Sequence, residues 1–195
     1  MEYLGVSIDL KHMPKLDPGF VPFGVWREAY LKGAAIPIAI AVERNDGKIT
    51  VWRTGIHGTE AFARADCRYV ERMVKFLLWS VGGFRIYLCG CSEIARRLRE
   101  DYTPNGNRAF DADFFRKVYE RDLEILDRPL EDCPQPNEAP RPLGGHLDGC
   151  RIGFDAGGSD RKVSAVMDGE CVYTEEVVWF PKLQADPQYH YDGIV

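Results

Sequence analysis

A chain of 195 residues can bury one good core, or one domain together with a piece of another. Its 45% hydrophobic and 28% charged content is that of an ordinary globular protein, and a net charge of −5 lacks the basic footprint of a nucleic-acid binder. No apolar run approaches the roughly 20 residues needed to span a bilayer. The N-terminus, MEYLGVSIDLKHM, lacks a signal peptide's basic start and small-residue cleavage site, so the protein is expected in the cytoplasm, with neither membrane nor nucleic acid as a partner.

In chain order, HMPKLDPGF, with His12 and Asp17, shows no catalytic spacing and reads as a loop. Ile36 to Val42 (IPIAIAV) reads as a buried strand. Asn45-Asp46-Gly47 has the left-handed turn chemistry of a hairpin, and Lys48 to Thr54 alternates as its return strand. Asp66 suits the N-cap of a helix in which Val70, Met73, Val74, Leu77 and Leu78 repeat at i, i+3, i+4, i+7 and i+8, with Gly82-Gly83 as its end. FRIYLC (Phe84 to Cys89) reads as a strand. Ser92 suits the cap of a helix through Glu100, and Asp111 the cap of another carrying Phe114, Phe115, Val118 and Tyr119. Hairpin, helix, strand, helix, helix predicts a mixed-sheet α/β domain over residues 1–130.

Glu131 to Leu143 (EDCPQPNEAPRPL) holds four prolines and few apolar residues, which predicts a linker without regular structure over 131–149. After it, Cys150 to Phe154, Val163 to Met167 and Cys171 to Trp179 read as three strands. Asp155-Ala156-Gly157-Gly158-Ser159 makes the first turn and Asp168-Gly169 the second.

Six cysteines contain no C-x-x-C pair. Cys89 and Cys91 would share a strand face, which permits joint ligation, but buried reduced thiols are the simpler reading and no cysteine-bound metal is expected. His12, His57, His146 and His190 form no metal pair. Trp26, Trp52, Trp79 and Trp179 read as core, and Arg96, Arg97 and Arg99 with Lys75 as a solvated helix face.

The chemistry is concentrated in GCRIGFDAGGSDRKVSAVMDGECVYTEEVVW. An apolar strand delivers Asp155, then two glycines and a hydroxyl, with a lysine on the way into the next strand. Gly157 and Gly158 let backbone N–H groups approach phosphate oxygens in unusual φ/ψ, Ser159 adds a hydroxyl, and Lys162 supplies charge. Asp155 can hold Mg²⁺ through a water. The competing reading is a glycine hairpin that Asp155 and Ser159 merely cap.

The run Arg151 to Val177 resembles the first phosphate motif of the sugar-kinase, actin and chaperone ATPase superfamily. There D-x-G-G/T/S-T/S joins the first two strands of a three-stranded meander and Asp-Gly turns the next hairpin. The glycine pair is similar to that of the ROK sugar kinases and repressors. The resemblance implies that 150–195 opens an actin-like (ribonuclease H-like) ATPase domain. It further implies ATP and Mg²⁺ as cofactors, phosphoryl transfer to a small sugar, and partners limited to nucleotide, sugar and, as an open question, a homo-oligomer. ROK proteins set the lysine directly after the hydroxyl residue, whereas here Asp160 and Arg161 precede Lys162. That spacing is closer to the activator ATPases of 2-hydroxyacyl-CoA dehydratases and benzoyl-CoA reductases. The superfamily's catalytic aspartate, second phosphate motif and adenosine motif lie further downstream, so the chain is expected to be part of a longer product, inactive alone. A regulator that senses a sugar or nucleotide is the non-enzymatic alternative; the acidic, strand-rich N-terminal region argues against a DNA-reading repressor. FRIYLCG and SEIARRLRE also resemble the last elements of the superfamily's second lobe, which would put Gly90 and Ser92 near adenosine in a permuted order; the alternative is an accessory domain.

Overall fold

The computed structural model describes residues 1–140 and 143–195, in two compact units, Met1–Ala139 and Pro140–Val195. The first unit is mixed α/β. A short hairpin of β1 (Glu2–Tyr3) and β2 (Val6–Ser7) precedes helix α1 (Phe23–Leu31). The main sheet then forms from β3 (Ile36–Arg44), β4 (Lys48–Ile56), β5 (Arg85–Cys89) and β6 (Glu124–Arg128), in the order β4-β3-β5-β6. β3 runs antiparallel to both neighbours, while β5 and β6 are parallel. The carboxyl ends of β4, β5 and β6 therefore share one edge.

Helices α2 (Ala63–Val81), α3 (Ser92–Asp101) and α4 (Ala109–Tyr119) connect these strands. Together with α1 they cover one sheet face. Ile38, Ile40, Val42, Ile86 and Leu88 pack there against Trp26 and Tyr30 of α1, the predicted stripe Val70, Met73, Val74, Leu77 and Leu78 of α2, and Leu98 of α3. The other face is lined by Ala39, Ala41 and Cys89, side chains small enough for an extended segment to lie close over them, and Cys133 fills that position.

That packing revises the expected linker. Residues 131–139 are docked on the first unit. Cys133 is buried, Asn137 and Ile49 exchange backbone hydrogen bonds of 3.0 and 3.1 Å, and Glu138 accepts from Thr50 and Arg44. The segment pairs with the outer edge of β4 at Ile49, through one isolated bridge to Asn137. The domain therefore extends past residue 130, to Ala139. Arg141 and Pro142 of the expected linker lie outside the described residues.

Three expected caps sit inside their helices instead. Asp66 is in the first turn of α2, buried, with its carboxylate accepting from Tyr30 Oη (2.6 Å), His57 N (3.0 Å) and Gly58 N (2.8 Å). Asp111, in the first turn of α4, accepts from Trp79 Nε1 at 2.7 Å and pairs with Lys75. Ser92 begins α3 after Cys91 and donates to Asp127 at 3.0 Å. An acid in a first helical turn is favoured by the helix dipole as much as one at the cap. Burial decided where these carboxylates point.

The second unit contains β7 (Cys150–Ala156), β8 (Asp160–Met167) and β9 (Glu170–Val178), antiparallel in chain order as predicted. Asp168 and Gly169 turn the second hairpin with φ of 49° and 87°, the left-handed pair that a two-residue hairpin requires. Asp186 caps the closing helix α5 (Pro187–Ile194). Among the described residues no helix is long and apolar enough to cross a membrane.

Candidate functional site

The turn at the head of the meander is held from behind by aromatic packing. Ala156 pairs with Arg161, so Gly157, Gly158 and Ser159 stand outside the ladder. Trp179, following β9, is buried beneath them. Its indole Nε1 donates to Gly157 O at 2.8 Å and its backbone N to Ser159 O at 3.1 Å. Tyr189 of α5 stacks on the indole with ring centroids 6.3 Å apart, and Arg161 donates to Gly193 O beside it. The carbonyls of Gly157 and Ser159 are thereby engaged. Among the described residues the N–H groups of Gly158 and Ser159, and the Ser159 hydroxyl, make no hydrogen bond, whereas the Gly157 N–H faces Asp160 O at the end of the ladder.

The glycines serve this geometry by their size. Neither has positive φ, contrary to the unusual backbone expected of them. A Cβ on Gly157 would lie 2.5 Å from Asp160 O, a backbone atom that cannot step aside. At Gly158 a Cβ would meet Lys182, whose Cε and Nζ lie 3.0 and 3.2 Å from that point. Lys182 belongs to the turn Pro181–Leu183 and puts an ammonium over the tip. Its distance along the chain from the motif hid it from sequence reasoning, whereas Trp179 was read as core and is buried.

Lys162 is placed differently from expectation. It lies opposite Asp155 in the ladder, 3.4 Å from Asp160 and 3.8 Å from Glu176. Those carboxylates, Asp160 foremost, raise its pKa above the ordinary lysine value. Its charge is shared along the strand face, and Lys182 is the cation at the turn itself. Asp155, expected in the turn, lies within β7 one residue before its end, exposed and on the same face as Asp160. Oxygen donors of this kind suit Mg²⁺. Among the described residues no group of three or more His, Cys, Asp or Glu side chains is placed to hold a metal ion.

The meander exposes apolar side chains on one face. Ile152, Phe154, Val163, Ala165 and Tyr173 share it by register, and Ile152 is 79% exposed.

In the first unit, Gly90 (φ 81°) turns the chain out of β5, and Ser92 lines a cavity of about 400 Å³ with Thr59, Asp66, Cys91 and Arg97. It opens at the carboxyl end of β5, where open α/β sheets commonly bind ligands. Cys89 and Cys91 do not share a face: Cys89 lies with Cys133, Cys91 with the helix-side core. Burial, with Cys133 beside it, pushes the Cys89 thiol up to about 12. Burial and Asp127 do the same for Cys91, so neither is a nucleophile near neutrality.

The chain matches no family model, no curated protein and no solved structure. The functional reading therefore rests on this geometry and on the motif.

Proposed function

We propose that the Gly157–Ser159 turn binds the phosphate tail of ATP and serves an ATP-dependent, ROK-type sugar-kinase-like protein in phosphoryl transfer to a sugar hydroxyl. The observation that carries the reading is the pair of consecutive N–H groups of Gly158 and Ser159 without protein partners, beneath the Lys182 ammonium and a few residues after Asp155. Such a nest of donors favours phosphate oxygens. In this reading Gly157, Gly158 and Ser159 bind and orient the terminal phosphates. Lys182, joined by Lys162, offsets their charge, and Asp155 anchors Mg²⁺ through a water. Bound Mg²⁺ would supply the charge neutralisation on which phosphoryl transfer depends.

An activator-type ATPase, or a regulator that senses a nucleotide or sugar, would use the same turn. The spacing from Ser159 to Lys162 favours the activator as the second reading.

The test is Mg²⁺-dependent ATP consumption by the full-length gene product, native beside Asp155→Ala, across a panel of hexoses and with none. Sugar-dependent turnover abolished by the substitution supports the kinase, and sugar-independent turnover lost in the same way supports the activator. Equal rates for the two proteins would reduce the turn to a hairpin.

A further inference from the structure

The first unit holds a second cavity, of about 480 Å³, between α2 and α3. Four arginines line it: Arg64, Arg68, Arg97 and Arg108. Arg64 and Arg68 lie one turn apart on α2, with Glu71 a further turn along. Arg97 and Asp101 are likewise spaced on α3, and Arg108 precedes α4. The cavity has the size of ordinary small-molecule sites.

The acids present do not balance these cations. Glu71, buried in the wall, is engaged twice, at 3.2 Å from Arg68 Nη1 and by an ion pair with Arg108. Asp101 accepts from Asn107 Nδ2 at 2.7 Å. Arg64 and Arg97 have no ion pair and no hydrogen bond among the described residues. The contrast with Arg96, the next residue on the same helix, is informative: on the outer face it pairs with both Glu93 and Glu100. The arginines read from sequence as a solvated face, Arg96, Arg97 and Arg99, are all exposed, and Arg97 also lines this cavity.

We infer that this cavity binds a phosphate monoester of a small molecule, its dianion held by Arg64 and Arg97 and by the guanidinium N–H groups of Arg68 that Glu71 leaves open, while Arg108 is taken up by Glu71 and by Asp111 at 3.6 Å. A phosphate group suits the two arginines left without an acid partner and accepts from several planar forks at once, which a single carboxylate does not. Glu71 fixes two of the four guanidiniums in advance, so less side-chain entropy is lost on binding. The organic part has a wall at Tyr3, the end of β1, and Leu4 in the turn that follows, where Tyr3 is braced edge-on by Trp26 at 6.1 Å. The inference does not depend on what the Gly157–Ser159 turn binds.

The test is titration of the chain with AMP, glucose 6-phosphate, adenosine, glucose and sulfate, followed by amide NMR. Saturable shifts at Leu4 and Cys67 are expected with AMP or glucose 6-phosphate, and which of the two binds tighter identifies the organic moiety. Arg64→Gln/Arg97→Gln, which removes no bond seen in the structure, should keep its unfolding midpoint and weaken binding at least about tenfold, while Arg99→Gln leaves it unchanged. The inference is overturned if neither ester saturates or if sulfate binds as tightly as the better ester. It is equally overturned if the double variant binds like the native chain, or if the shifts are confined to Gly157–Ser159.

Discussion

Two hydrophobic strand residues show how differently the units are built. Leu88, in β5, has no exposed surface, whereas Ile152, in β7, keeps 79% of its own. Met1–Ala139 packs four helices on one sheet face and its own extended segment on the other. Pro140–Val195 buries Trp179 behind the glycine turn and leaves an apolar sheet face open. What the second unit does organise is the turn: the indole, Tyr189 and Arg161 all support it. Residues are ordered there around the turn more than around a core.

The largest effect that would break this contrast is on stability. Leu88→Ala should cost about 2–5 kcal/mol of unfolding free energy, as for other fully buried leucines. Ile152→Ala should stay within about 0.5 kcal/mol, as for a surface change. Urea unfolding followed by circular dichroism measures both, and comparable losses would mean that the meander has a core of its own.

Thiol reactivity sharpens the same comparison. Cys150 and Cys171 are exposed, while Cys67, Cys89, Cys91 and Cys133 are buried. With an aromatic disulfide reagent at pH 8, two thiols of the native chain should react quickly and four only on unfolding. Burial also raises the Cys67 thiol and takes Cys91 to about 12, which slows them further. Fast modification of a third thiol would show that the first unit opens.

Trp179→Phe keeps most of the packing and removes the bond to Gly157 O. About 1 kcal/mol should be lost, with amide shifts concentrated at Gly157–Ser159. Shifts spread evenly over the meander would mean that the indole is generic core.

The smallest effect concerns residues 131–139. Hydrogen bonding from Thr50, then Arg44, holds the Glu138 carboxyl below its usual range. A depressed carboxylate pKa contributes stability above the unfolded value and loses it as pH falls through the folded value. The side chain is 43% exposed, so the contribution is a few tenths of a kcal/mol at most. Protease cuts should fall in 143–149 at pH 7 and extend into 131–139 only below about pH 4. Early cleavage near Asn137 at neutral pH would contradict the docking.

Where local chemistry decides structure, the sequence was legible. The first hairpin turn takes φ of 61° at Asp46 and 62° at Gly47, α2 buries the stripe that its spacing marks, and the meander's turns fall where Gly and Asp place them. What it hid was settled by distant partners. β6 (EILDR) carries one buried side chain, Ile125, and becomes a strand because Ile86 lies beside it. α1 has no capping side chain to announce it. The prolines of 131–139 signal irregular backbone but not that it lies on alanines and a cysteine. At the candidate site Asp155, Gly157, Gly158 and Ser159 were visible as a motif. Lys182 was not, because a later turn brings it over Gly158.

The measurement that bears most directly on the phosphate-binding reading is a titration of the chain with ATP, with and without Mg²⁺, followed at the amides of Gly157, Gly158 and Ser159. The account predicts Mg²⁺-dependent, saturable shifts at these three residues. Lys182→Ala should weaken them, and Asp155→Ala should remove their Mg²⁺ dependence. Amides that do not respond to ATP at millimolar concentration, or that respond equally in Asp155→Ala with and without Mg²⁺ as in the native chain, would contradict it.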